Sequence, residues 1–243
     1  MANRKLLSVR DLTIGHEGRT LCSGITFDIC AGDCIMLCGA NGSGKTTLMK
    51  YLAGTSHPIA ASNNSDKSTE CIMIPARIPK VAGFTLREFV RISCFSKSDL
   101  YGKLTPSEEE SLDKAIAGLG LGHLADRDIS TLSDGEFQKA GIASAIVRKA
   151  DIIMLDEPTA FLDAQNRISV LQTLRQISDN GAEDGKQRPA IIFSTHDLHD
   201  GLQACTKVFA IGADGKFHCS SEDSAECKST IVSSIFKSLT PQL

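Results

Sequence analysis

Residues 39–46 read Gly-Ala-Asn-Gly-Ser-Gly-Lys-Thr, directly after the apolar run Cys34-Ile35-Met36-Leu37-Cys38. That run has the length and apolarity of a strand buried on both faces. From Lys45 to Ala53 the pattern becomes helical. A strand, a glycine-rich turn and a helix in this order constrain the fold more than any other feature of the chain. The turn matches G-x-x-x-x-G-K-[ST], and the strand-to-helix setting is what gives that spacing meaning. Glycines let successive backbone N–H groups wrap a phosphate chain without side-chain obstruction. Gly39, Ala40, Asn41, Gly42, Ser43, Gly44, Lys45, Thr46 and Thr47 are therefore the candidate phosphate cradle. Lys45 brings a point charge to β- and γ-phosphates, and the Thr46 hydroxyl suits a Mg²⁺ ion. Such a chain binds a nucleoside triphosphate.

A matching acidic element lies downstream. Ile152-Ile153-Met154-Leu155 reads as a second buried strand and ends in Asp156-Glu157. Alone, an acidic pair after an apolar strand is an ordinary strand end. Beside a phosphate loop, Asp156 falls on the Mg²⁺ side, and Glu157 is placed to orient or deprotonate an attacking water.

The rest of the pattern is α/β. Leu7–Ile14 alternates as a strand, and Ile25, Phe27 and Ile29 repeat that period of two. Cys71–Ile74 and Ala190–Ser194 are further strands, a helix is expected near Gln165–Ser178, and Val208–Ile211 with Lys216–Cys219 forms a late hairpin. Ser62–Ser68 and Asp179–Arg188 are polar loops. Between about 84 and 150 the pattern is helical; Thr105-Pro106-Ser107-Glu108 combines an N-cap, a proline at the first helical position and a capping-box glutamate. Strands separated by helical segments predict a mainly parallel sheet with an inserted helical lobe.

Composition removes several function classes. The net charge is −3 and basic side chains are scattered, so there is no footprint for nucleic acid or for direct adsorption to lipid. No segment reaches the ~20 apolar residues that cross a bilayer, and no signal-peptide run opens the chain. The nine cysteines include no C-x-x-C pair. Cys30, Cys34 and Cys38 fit neither zinc-ribbon nor ferredoxin spacing, and read as packing residues of a protein in a reducing cytoplasm.

Leu132-Ser133-Asp134-Gly135-Glu136 precedes another helix. Ser133 with Glu136 three residues on is a capping box, worth about 1 kcal/mol. A helix N-terminus also binds phosphate. LSDGE lies between the two acid-and-phosphate motifs; Ala160-Phe161-Leu162-Asp163 and Ser194-Thr195-His196-Asp197 follow them. In this order the motifs resemble those of the ATP-binding cassette (ABC) ATPases over essentially the whole chain. LSDGE is similar to the signature, AFLD to the D-loop and His196 to the switch histidine.

The resemblance implies a P-loop ABC ATPase fold: residues 1–243 as one ATP-binding domain, an N-terminal antiparallel β subdomain, and a helical subdomain at about 84–150 inserted in a RecA-like core. It implies a head-to-tail dimer holding ATP and Mg²⁺ between subunits. Lys45, Thr46, Asp156, Glu157 and His196 of one subunit would then meet Ser133 and Gly135 of the other, and Asp163 of the D-loop would be a further nucleotide-site residue. GFTLREFV, LSDGEFQ, DEPTAFLD and STHDLHDGL are most similar to the ATPases of iron-siderophore, haem and cobalamin importers. In that family a cytoplasmic ATPase pair docks under transmembrane permease subunits, peripheral to the inner face of the membrane, and a separate binding protein delivers substrate. A soluble ABC ATPase, as in iron–sulfur assembly, and a regulatory module with weak turnover are the alternatives.

Three positions depart from the family pattern. Asp134 stands where the signature usually has glycine. His16 falls where an aromatic residue usually stacks on adenine. Ala76 falls where a strand normally ends in a glutamine contacting Mg²⁺ and water, leaving Arg77 as the neighbouring polar group.

Overall fold

A computed structural model describes residues 4–16, 18–60, 69–94, 104–180, 188–220 and 223–237. The Ser62–Ser68 loop and most of the Asp179–Arg188 loop lie outside them. Strands β1 (Lys5–His16) and β2 (Arg19–Cys30) pair antiparallel as a separate two-stranded sheet. The main sheet has six strands in the order β4-β5-β6-β3-β7-β8. Their ranges are β3 Cys34–Gly39, β4 Cys71–Ile74, β5 Ile152–Leu155, β6 Ala190–Ser194, β7 Lys207–Ile211 and β8 Phe217–Cys219. All neighbours run parallel except β7 and β8, which form the expected hairpin.

Alternation along β3 divides the core in two. Ile35 and Leu37 face Leu12, Ile14, Ile25 and Ile29 of the antiparallel pair. Cys34, Met36 and Cys38 face the helical side with Phe193, Leu174 and Ala143. Successive side chains of a strand point to opposite faces, so one buried strand serves both cores. Burial pushes the Cys34 and Cys38 thiols up to about 12, so they pack as small apolar groups.

Among the described residues, three α-helices separate β4 from β5: α2 (Leu86–Ile92), α3 (Pro106–Gly118) and α4 (Asp134–Val147). Each starts with a reciprocal capping box, Thr85 with Glu88, Thr105 with Glu108 and Ser133 with Glu136. The box at Thr85 carries the same T-x-x-E sequence signal as that at Thr105. Helix α1 (Lys45–Leu52) stops one residue before the expected Ala53, which caps it through an N–H bond to the Met49 carbonyl. Helix α5 (Ala164–Asn180) extends past both expected ends. Two further helices, α6 (Leu198–Ala204) and α7 (Ala225–Lys237), complete the order. Among the described residues, no helix is long and apolar enough to cross a membrane.

The strand order matters for chemistry. β5, β6 and β3 are adjacent and parallel, so their carboxyl ends open side by side. Ligands of open α/β sheets bind beyond those ends. The phosphate loop follows β3, Asp156-Glu157 follows β5, and Thr195-His196 follows β6.

Candidate active site

Gly44 caps α1 without a side chain, so the first N–H groups of that helix are not covered by a capping group. Lys45 folds back over the loop, and its Nζ donates to the carbonyls of Gly39 (2.8 Å) and Ala40 (3.1 Å). An ammonium has three donors, so one remains for an anion. Burial draws Lys45 below its ordinary pKa, against the opposing pull of Glu157 and Asp156. The Ser43 hydroxyl is buried within the loop with no partner among the described residues. A spare ammonium donor and an orphaned hydroxyl beside a free helix N-terminus fit a phosphate group.

The Thr46 hydroxyl donates to Asp156 Oδ2 at 2.7 Å, which joins the phosphate loop to the end of β5. The other oxygen, Asp156 Oδ1, accepts from the Ser194 hydroxyl at 2.7 Å. Ser194 Oγ in turn accepts from the Glu157 backbone N–H at 2.8 Å. One buried serine therefore fixes both acids. The sequence places Ser194 at the end of a strand and two residues before His196; its role as the link between the acids follows from β5 and β6 being adjacent. A hydroxyl and a carboxylate this close form a hard oxygen pair suited to Mg²⁺.

Glu157 has a φ of 50°, in the left-handed region, a conformation costing about 1–3 kcal/mol where it is held in place. Its carboxylate Oε1 lies 2.8 Å from His196 Nε2. Next to the histidine, Asp197 and Asp200 both pair with Arg167 of α5, at 3.2 Å each. No local sequence pattern marks Arg167, because its partners lie about thirty residues further along the chain.

The signature residues lie elsewhere. Ser133 caps α4, with its hydroxyl taking the Glu136 N–H and Glu136 Oε2 taking the Ser133 N–H. Gly135 packs so closely that a Cβ there would lie 2.8 Å from Leu162 Cδ2 and 3.3 Å from the Phe161 carbonyl. Asp163 accepts from the Asn166 N–H and Nδ2, both at 2.8 Å. Ser133, Gly135, Phe161 and Asp163 share an open cleft of ≈ 580 Å³ whose lining includes no residue of the phosphate loop, nor Asp156, Glu157 or His196.

The departures also find places. Asp134 is exposed and its carboxylate is paired with Lys80 at 2.7 Å. Ala76 is half-buried after β4, and the Arg77 guanidinium lies 6.0 Å from the Phe161 ring centre. His16 is exposed at the end of β1, opposite Arg19.

Strand order, phosphate loop and paired acids define a P-loop nucleotide-hydrolysing core. The profile of the family described as ABC transporter matches residues 22–160. An uncharacterized ABC transporter ATP-binding protein of Haemophilus influenzae is 34% identical over 203 residues, covering 79% of this chain and 74% of that one. The cobalamin import ATP-binding protein BtuD of Halobacterium salinarum is 28% identical over 223 residues, 87% of this chain and 54% of that one. A solved structure described as an inward-facing metal-chelate type ABC transporter superposes with a TM-score of 0.80 at 25% identity, over 96% of this chain and 90% of that one. The chain belongs to the ABC transporter family, as an ATP-binding and ATP-hydrolysing component of it.

Proposed function

We propose that residues 1–243 act as one ATP-driven engine domain, with residues 84–150 as its helical lobe, and that two copies work head to tail. The observation that supports this is the separation of two incomplete sites on one chain. Lys45, Thr46, Asp156, Glu157 and His196 cluster at the carboxyl ends of β3, β5 and β6, while Ser133, Gly135 and Asp163 line a separate cleft. Each lacks what the other has.

In this reading the loop N–H groups and Lys45 hold the β- and γ-phosphates, and the second subunit's α4 N-terminus faces the γ-phosphate. Thr46 and Asp156 would hold Mg²⁺, whose charge neutralises the phosphate oxygens when it is bound. Glu157 accepts the proton of the attacking water, and His196 holds the Glu157 carboxylate in place and lies near the transferred group. His16 borders the adenine. Attack of the water on the γ-phosphorus breaks its bond to the β-γ bridging oxygen; once the inorganic phosphate leaves, the α4 N-terminus has lost its anion and the pair opens.

The proposed cargo is a metal chelate of the iron-siderophore, haem or cobalamin class, taken inward through permease subunits fed by a separate binding protein. The chain would sit on the cytoplasmic face of the membrane through those permeases. The names of the Halobacterium relative and of the metal-chelate transporter support this cargo class. One observation favours the weak-turnover alternative: Ala76 supplies no polar group where a glutamine is usual.

Steady-state ATPase measurement tests the engine. Wild-type turnover that Lys45→Ala abolishes is expected; absence of Mg²⁺-dependent turnover in the wild type overturns it. Purification from membranes in mild detergent tests the transport assignment. A co-purifying polytopic protein is expected, and recovery of the chain alone in the soluble fraction contradicts it.

A further inference from the structure

We propose that Lys80 is a positioning residue that sets the first turn of α4, and so aims Ser133 and Gly135 at the phosphate presented by a second subunit. The proposal rests on the head-to-tail reading above. Three contacts from one ammonium carry it. Lys80 Nζ donates to the Leu132 carbonyl at 2.7 Å and to Asp134 Oδ1 at 2.7 Å, and lies 5.7 Å from the centre of the Phe137 ring. These residues flank Ser133 on both sides, so the lysine fixes the angle at which the chain turns into the helix. Its own side chain is 26% exposed, against 71% for Asp134, so the cation is the anchored partner.

The segment carrying Lys80 is itself tied down at both ends. Ile74, the last residue of β4, accepts the Asp156 N–H at 2.9 Å. Further along, Ile78 fills the notch at Gly141 in the middle of α4, where a Cβ would lie 2.5 Å from Ile78 Cδ1. Arg77 lies over Phe161, two residues before Asp163. Residues 74–80 thus run from the carboxyl end of β5 to the start of α4 along packed contacts. Ala76 sends no polar group from this segment into the site, but Lys80 grips the helix that the site's other half depends on.

The pair also accounts for an acid at the second position of LSDGE. An unpaired carboxylate beside a triphosphate repels it. Hydrogen bonding to Lys80 holds Asp134 below the usual carboxylate range, so acid and base stay charged together and their charges cancel locally. Charge-assisted hydrogen bonds are short and directional, which suits them to fix a helix start.

Lys80→Met keeps the unbranched stem and removes the donors; Lys80→Arg keeps a cation. With full-length chain, Lys80→Met should lower kcat for Mg²⁺-ATP hydrolysis about threefold, the scale of a part-exposed ion pair. ATP affinity of the single chain and the thermal midpoint should stay at wild-type values, and Lys80→Arg should restore most of kcat. Lys80→Met/Asp134→Asn should be no worse than Lys80→Met, because both remove one interaction. Wild-type kcat in Lys80→Met, or a loss that tracks ATP affinity or folded fraction, overturns the proposal. Lys45→Ala run alongside separates the two readings. If the wild type hydrolyses nothing above Lys45→Ala, the site assignment falls and this proposal with it. If the wild type turns over and Lys80→Met equals it, the proposal alone falls.

Discussion

His196 Nε2 lies 2.8 Å from Glu157 Oε1. A carboxylate oxygen only accepts, so this contact is a hydrogen bond when the imidazole carries a proton on Nε2. The contact, the left-handed backbone at Glu157 and the Ser194 bond to its N–H hold one carboxylate from three directions. Such over-determination of a strained residue is typical of a reacting group. Glu157→Gln keeps the shape and removes the basicity. It should cut kcat by about 10²–10³-fold, the scale of lost general-base catalysis, with ATP affinity retained. Near-normal turnover in a phosphate-release assay would remove Glu157 from the chemistry.

Lys45→Ala removes the ammonium that bridges the Gly39 and Ala40 carbonyls. Loss of ATP binding is expected, read by fluorescent-nucleotide titration. The fold should persist, since Lys45 contacts the loop and not the core. Retained affinity contradicts the phosphate-cradle assignment.

Gly135→Ala places a methyl 2.8 Å from Leu162 Cδ2. The Leu162 tip can turn aside, but the Phe161 carbonyl, 3.3 Å from that methyl, is backbone and yields less, so the cost lies near the ~1 kcal/mol end of overpacking. The thermal midpoint should fall, and kcat should fall further than Lys80→Met makes it, because the cleft between α4 and Phe161-Leu162 must widen. An unchanged midpoint would mean that Leu162 yields freely.

Asp28 ties the two N-terminal strands together. It accepts from the Ser8 hydroxyl at 2.6 Å and pairs with Arg10 at 2.7 Å and Lys5 at 3.0 Å. Burial alone would raise its pKa, but the Ser8, Lys5 and Arg10 contacts outweigh it and lower the carboxyl to about 2. A depressed carboxylate stabilises the fold above its unfolded value of 3.8, and that stability is lost as pH falls through about 2. With the side chain about a third exposed and screened, the contribution is about 1 kcal/mol. Urea unfolding should show Asp28→Asn less stable than wild type at pH 6, with the gap closing towards pH 2. A gap independent of pH would assign the loss to packing.

The legible parts of this molecule were those whose physics is written in contiguous residues. The phosphate loop, the β5 acids and the Ser133–Glu136 cap each lie within eight residues of chain, by the span 39–46 at the longest. Buried strands showed as apolar runs, and the parallel sheet followed from their separation by helices. Contacts across the sheet were not legible. Ser194 joins Asp156 and Glu157 only because β6 lies beside β5, and no local pattern fixes that order. Lys80 meets Asp134 across 54 positions of chain because the segment after β4 packs along α4, which no local pattern fixes either. Helix α6 has seven residues, too few to display a helical period. Asp134 could be recognised as an unusual acid from the sequence, but its partner could not.

The central claim is that two half-sites on one chain are completed by a second copy. Gel filtration of the Glu157→Gln chain, with and without Mg²⁺-ATP, tests it most directly. Blocked hydrolysis should hold the ATP-bound pair closed, so the chain elutes as a dimer with nucleotide and as a monomer without it. Adding Ser133→Arg, which fills the opposing half-site, should return it to monomer. A Glu157→Gln chain that no longer hydrolyses, binds Mg²⁺-ATP to saturation and still elutes as a monomer would contradict the account.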